Sequence, residues 1–238
     1  MSSQNTVPPL QNAVLGGQID PYALPVSTAP VGDRPAESLA AQAVRRRTGD
    51  RQAVAEEEVA RLLEVGLRLI QEDPTGGPRV ADIVRAAGVS NDAFYRAFRG
   101  KDDLMAAIAD DGARRLLGYV RHQRDKHPDA ATQVRACIEA VFSQATDPGI
   151  AATTRAVLRS AARARPAAAG VVDVRGQLAA ELVEPLRALP SADPGRDAVV
   201  VAVATFAVME QFLWAERVPT AEDVAHLVRF TLRGVASA

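Results

Sequence analysis

The stretch that decides the fold is RVADIVRAAGVSNDAFYRAFRGK, residues 79–101. Val80, Ile83, Val84 and Ala87 recur at the helical period and make an apolar stripe that must pack on something. Gly88 follows as the residue suited to the left-handed conformation that ends a helix. Val89 plugs the corner, and Ser90 is an N-cap type whose hydroxyl accepts from a backbone N–H in the next turn. A second helix is therefore expected from about Asn91. On it Phe94 and Phe98, four apart, face one side, while Asn91, Asp92, Tyr95, Arg96 and Arg99 point elsewhere. A polar face of this kind suits a major groove. The helix N-terminus favours phosphate, Tyr95 and Arg99 can donate to backbone oxygens, and Asn91 can pair with an adenine edge.

Before this stretch, Val59, Leu62, Leu63, Gly66, Leu69 and Ile70 repeat at helical spacing between Arg51 and Glu72, an amphipathic helix able to cover the helix pair. Asp73-Pro74-Thr75-Gly76-Gly77-Pro78 then breaks the chain. After it, Lys101-Asp102-Asp103 put two carboxylates at a helix start, and the helix expected from there passes Leu104, Ile108, Leu116 and Tyr119. Residues 1–47 are rich in proline and small residues without a sustained period, the composition of a flexible extension. They end in Arg45-Arg46-Arg47, which either reach a minor groove or form a solvated basic linker.

At 238 residues and a formal net charge of −1, the chain is long enough for two modules and is not basic overall. The basic footprint is local: Arg79, Arg85, Arg96, Arg99 and Lys101 stand against Asp82 and Asp92 in residues 79–101, while Glu56, Glu57 and Glu58 cluster in the helix before. Cys137 is the single cysteine, which excludes an intrachain disulfide and a cysteine-cluster metal site. No basic residue precedes Arg34 and no long apolar run opens the chain, so a secretory signal is not expected. The strongly apolar run 198–209 is too short to span a bilayer. These features predict a cytoplasmic protein without a membrane segment.

The remainder also reads as helical. Pro128, Pro148, Pro166 and Pro194 each stand where a first helical turn would begin, with Asp147 and Asp193 as caps for two of them. Pro185 should kink or end the helix that contains it, and Thr220 to Asp223 has the form of a capping box. In the penultimate helix Val199, Val200, Val203, Phe206, Ala207, Met209, Leu213 and Trp214 cover nearly every face, whereas Val224, Leu227, Val228, Leu232 and Val235 form a stripe on the last. A helix apolar all round is buried on both sides, either within one chain or against a partner subunit. The partner is favoured, because helix-turn-helix proteins read half-sites through two-fold symmetry.

Enzymatic readings find little support. His122, His127 and His226 are scattered without ligand spacing, no nucleophile–base arrangement is legible, and Gly16-Gly17 lacks a strand-to-helix setting. Asp102-Asp103 and Asp110-Asp111 read as a helix start and a solvated face. No cofactor or metal is expected.

The ordered series Ile83, Ala87-Gly88-Val89-Ser90, Phe94-Tyr95, Phe98, Lys101, Asp102-Asp103 and Leu104 resembles the DNA-binding region of the tetracycline-repressor (TetR) family over roughly residues 51–108. Pro78-Arg79 replace the usual Thr or Ser cap, so Arg79 is available for phosphate, and acidic Asp92 stands where basic or bulky groups are common. Asp92 can accept from a cytosine amino group or complement the helix dipole, the latter being favoured.

The resemblance implies an all-α fold: a flexible extension (1–47), a three-helix helix-turn-helix domain (48–100) and a helical effector-binding and dimerisation domain (101–238). It further implies a homodimer joined by a four-helix bundle. That dimer would be a repressor released from a palindromic double-stranded DNA operator by a small molecule, with Arg79, Ser90, Asn91, Asp92, Tyr95, Arg96, Arg99 and Lys101 at the DNA. Tyr119, Phe142, Phe206, Met209 and Trp214, with Leu158, supply candidate apolar walls for the effector, and Gln144, Gln177, Gln211 and His226 candidate polar anchors. The competing readings are a dimeric interaction protein whose helix-turn-helix no longer binds DNA, favoured by Asp92 and the neutral charge, and an enzyme hidden in the helical body.

Overall fold

Residues 38–74, 77–162 and 173–236 are described by a computed structural model, and among them the fold is all α. The helices are α1 (Leu39–Glu72), α2 (Val80–Ala87), α3 (Asn91–Ala97), α4 (Lys101–Arg124), α5 (Ala130–Thr146), α6 (Pro148–Ala161), α7 (Val174–Arg187), α8 (Pro194–Trp214) and α9 (Ala221–Ala236). The chain divides into compact units 1–46 and 47–238; of the first, only 38–46 are described, Ser38 and the opening residues of α1. Residues 39–47, expected to be part of an irregular extension, are helical. Ala40, Ala41 and Ala43 favour helix, and no proline or glycine interrupts them. The rest of the expected extension, like Pro166, lies outside the described residues.

Two apolar cores organise residues 47–238. The head core gathers Leu62 and Ile70 of α1, Ile83 and Val84 of α2, Phe94 and Phe98 around α3, and Leu104, Met105 and Ile108 of α4. It does not stop at the head: Ala156 of α6 is buried in the same cluster, with Val157 packed against it. Gly66 permits the close approach of α1 to α4, since a Cβ there would lie 2.8 Å from Cδ1 of Ile108. The body core draws on α4 to α9, with α7 and α8 packed most extensively. Each large side chain fully buried in either core contributes about 1.5–3 kcal/mol. Across α4 and α7, Arg121 Nη2 pairs with Glu181 Oε1 at 2.9 Å, and Arg124 bonds the other oxygen of the same carboxylate.

Side-chain caps fix the helix starts. Asp129, Asp147, Asp173 and Asp193 accept from the backbone N–H of Thr132, Ile150, Gly176 and Arg196 at 2.8, 2.9, 3.0 and 3.1 Å. The Thr220–Asp223 box is closed in both directions: Asp223 N donates to Thr220 Oγ1 at 3.1 Å and Thr220 N donates to Asp223 Oδ2 at 2.8 Å. Pro148 and Pro194 open their helices. Pro128 does not, because Asp129 takes the cap and displaces the proline outside the helix. Pro185 is buried inside α7, which ends two residues later at Arg187.

Helix α8, at 21 residues, is longer than the apolar run 198–209, and by length and composition alone it could cross a bilayer. Its Ala198, Val201, Ala202, Phe206, Met209 and Leu213 lie in the body core. Val199, Val200 and Val203 stay exposed on the other side, as does Phe230 on α9. Cys137 is wholly buried in α5, and loss of solvation pushes its thiol up to about 12.

Candidate DNA-binding face and ligand cavity

The helix-turn-helix is built as its residue types require. Gly88 takes φ 64° and ψ 30°, and its N–H and that of Val89 bond the carbonyls of Arg85 and Val84, closing α2. Ser90 then caps α3, its Oγ accepting from Ala93 N at 3.0 Å. Phe94 is fully buried, with the Tyr95 ring edge-on at 5.1 Å and the Phe98 ring at 5.8 Å. Phe98 lies beyond the last turn of α3, in extended backbone, and still reaches the core. α3 is thereby shorter than the Phe94–Phe98 spacing suggests, because the chain must turn at once into α4.

This packing leaves one polar surface outward. Ser90, Asn91, Asp92, Tyr95, Arg96 and Arg99 are exposed, Tyr95 at 60% despite its ring. Asp92 sits in the first turn of α3, where its charge complements the helix dipole. Arg96 is exposed and 3.7 Å from half-buried Glu58 of α1, a long, partly solvated pair that exchanges cheaply for a phosphate. The backbone N–H of Arg99 donates to Asp103 Oδ2 at 3.0 Å, which fixes the link to α4. Arg79 is the uncapped residue before α2 and is exposed. Lys101 is half-buried at the start of α4, its Nζ 3.1 Å from where a Cβ on Gly77 would stand; Gly77 has φ +65°. Arginines and hydroxyl groups beside a helix N-terminus can grip phosphate, and the carboxamide of Asn91 can address a base edge.

Against known proteins, residues 62–108 match the model of the bacterial regulatory proteins, tetR family. Over this segment, about one fifth of the chain, the sequence is similar to that family. No curated protein matches the chain. Solved structures extend the likeness to the whole fold. A bacterial regulatory protein in the tetR family from Rhodococcus RHA1 is 19% identical with a TM-score of 0.52, over 75% of this chain and 96% of the other. A transcriptional regulator from Rhodococcus sp. Rha1 is 16% identical with a TM-score of 0.56, over 75% and 96%. RolR in complex with resorcinol is 16% identical with a TM-score of 0.54, over 78% and 92%.

A cavity of about 620 Å³ lies between the head and body helices. Leu67 and Gln71 of α1 and Ile108, Asp111, Arg115 and Leu116 of α4 form one side. Gln144, then Ile150, Thr153, Thr154, Val157 and Leu158 of α6, and Val174, Arg175, Phe206, Met209 and Glu210 of α7 and α8 form the rest. Of the expected walls, Leu158, Phe206 and Met209 line it. Phe142 is buried in the body core with its ring 6.4 Å from that of Phe212, while Tyr119 and Trp214 are surface residues outside the lining. Of the expected polar anchors Gln144 lines it, whereas Gln177, Gln211 and His226 are exposed elsewhere. The contribution of α1 and, apart from Leu158, that of α6 carry no sequence signal, because Leu67 and Thr153 belong to ordinary helical stripes. Among the described residues, no group of His, Cys, Asp and Glu is arranged to hold a metal ion.

Proposed function

We propose that this protein is a homodimeric repressor of transcription, acting in the cytoplasm, that places one α3 in the major groove of each half of a palindromic operator. In this reading Asn91 addresses a base, Arg79, Tyr95, Arg96, Arg99 and Lys101 hold backbone phosphates, and Ser90 and Asp92 set the helix start. The observation that carries it is the exposed polar face of α3, rigidly backed by fully buried Phe94. The exposed apolar residues Val199, Val200 and Val203 of α8 and Phe230 of α9 support a partner subunit on that side.

A small molecule in the cavity is the release signal. Ile108 supports this role, because it lines the cavity and also abuts Gly66 of the head with no space to spare. Pressure on Ile108 is therefore passed to α1. The ligand acts by binding the non-operator arrangement more tightly, and a tenfold preference yields at most a tenfold loss of operator affinity. RolR, of the same fold, is known with resorcinol bound.

Selection of binding sites from a random duplex pool tests the proposal. The expected product is a palindrome whose half-sites lie about one helical turn, or a multiple of it, apart. Enrichment of nothing by folded protein would instead support an interaction protein, the reading that Asp92 and the net charge of −1 favour.

A further inference from the structure

The cavity's own chemistry narrows what it accepts, an inference that rests on reading it as the effector site. Its charged side chains are already partnered. Asp111 pairs with Arg115 at 2.8 Å, and Glu210 pairs with Arg175 at 2.6 Å, the Arg175 guanidinium also lying 5.7 Å from the Phe206 ring centre. Asp147 is engaged in capping α6, accepting from Ile150 N at 2.9 Å. An anionic ligand that recruited Arg175 would strip Glu210, and a cationic one that recruited Glu210 would strip Arg175. Either exchange replaces one ion pair with another and adds the cost of desolvating the ligand.

The polar groups held loosely are neutral. Thr154 Oγ1 donates to Gln144 Oε1 at 3.4 Å, and Gln144 Nε2 donates to Ser143 Oγ at 3.4 Å, both at the long limit of a hydrogen bond. By contrast the Thr153 hydroxyl is committed to the Gly149 carbonyl at 3.0 Å. Leu116, Val157, Leu158, Phe206 and Met209 supply apolar wall around the Gln144–Thr154 pair.

We infer that the cavity takes an uncharged, mainly apolar molecule with one hydroxyl or carbonyl group, which Gln144 and Thr154 hold. Its volume of about 620 Å³ accommodates a ligand of two or more rings. Neutral apolar contacts supply the affinity, and the amide and hydroxyl fix the orientation.

The test uses the full chain and the uncharged fluorescent probe N-phenyl-1-naphthylamine, displaced by four naphthalenes that differ in one substituent at the same ring position: hydroxymethyl, carboxylate, aminomethyl and methyl. The hydroxymethyl compound should displace the probe at a concentration about tenfold below that needed for the carboxylate or the protonated amine. It should outdo the methyl compound about fivefold through one neutral hydrogen bond. Gln144→Leu should erase that fivefold advantage, read as the ratio of the hydroxymethyl to the methyl compound within the variant. Filling the space from α6 with Thr153→Trp, or from α4 with Ala113→Trp, should abolish probe binding with the melting transition retained.

A preference for either charged compound would overturn the inference. So would an advantage of the hydroxymethyl group that survives Gln144→Leu, or folded protein that binds no probe. Operator affinity is read separately: binding in the expected order without any change in operator affinity supports the ligand class and removes the effector reading.

Discussion

The head, α1 to α3 with the start of α4, and the body, α4 to α9, are made of the same material, amphipathic helices, but differ in what surrounds each working residue. In the head, a side chain's role is set within a few positions of chain: Ser90 caps α3 because Ala93 is three residues on, and Tyr95 is thrust outward because Phe94 is buried beside it. In the body, roles are set by residues far apart in sequence. Arg175 faces Glu210 across 35 positions, and Ile108 meets both the cavity and Gly66. Local chemistry therefore declares itself in the chain, and assembled chemistry does not.

The largest effect expected is in the head core. Phe94→Ala leaves a void in the centre of the head and should cost about 3–5 kcal/mol, seen as a lowered unfolding midpoint. A change below 1 kcal/mol would mean that the aromatic cluster does not organise the head. The next effect belongs to the exposed side of the body. Val200→Asp puts a charge on the apolar surface proposed to face a second subunit and should weaken dimerisation by about 2–3 kcal/mol in sedimentation, without a comparable loss of monomer stability. An unchanged association constant would separate that surface from the dimer.

Substitutions on the outward surface of α3 sharpen the contrast between holding and reading. Tyr95→Ala should lower affinity about tenfold for all operators alike, whereas Asn91→Ala should relax preference at one base pair, by about 1–3 kcal/mol. Uniform weakening by Asn91→Ala would remove its base-reading role. Smaller still, Ser90→Ala removes the cap of α3 and should cost about 1 kcal/mol of stability.

The smallest effect is the pH response of the Thr220–Asp223 box. The hydrogen bond from the Thr220 hydroxyl, and then that from its backbone N–H, hold the Asp223 carboxyl below the usual aspartate range. A folded-state value depressed in this way contributes stability that is present above the ordinary value and is lost as pH falls through the folded one. The melting temperature should therefore decline over that acid interval, and Asp223→Asn should flatten this part of the profile. An identical acid profile in the variant would show that the box contributes nothing to stability.

The same contrast explains what could be read in advance. The turn at Gly88, the cap at Ser90, the box at Thr220 and the proline starts of α6 and α8 are local and were legible. The Asp129 cap was not, since the adjacent Pro128 offers a competing helix start. In the cavity, Phe206 and Met209 are large apolar residues on a helix that must be buried, and they do form part of its lining. Phe142 has the same character and is ordinary core, because which face of α5 meets the cavity depends on how α6 and α8 are docked. Tyr119 and Trp214 carry large rings yet lie at the surface, where helical spacing alone says nothing of depth. Leu67 and Gln71 were invisible as cavity residues because their helix reads as part of the head.

The dependence of operator affinity on salt tests the central claim, that the outward surface of α3 and its flanking cations grip DNA, most directly. About three or four phosphate contacts per head give a dimer a log–log slope of roughly −5 to −7. A slope in that interval on the selected operator is the expected result; a slope near zero would contradict the account.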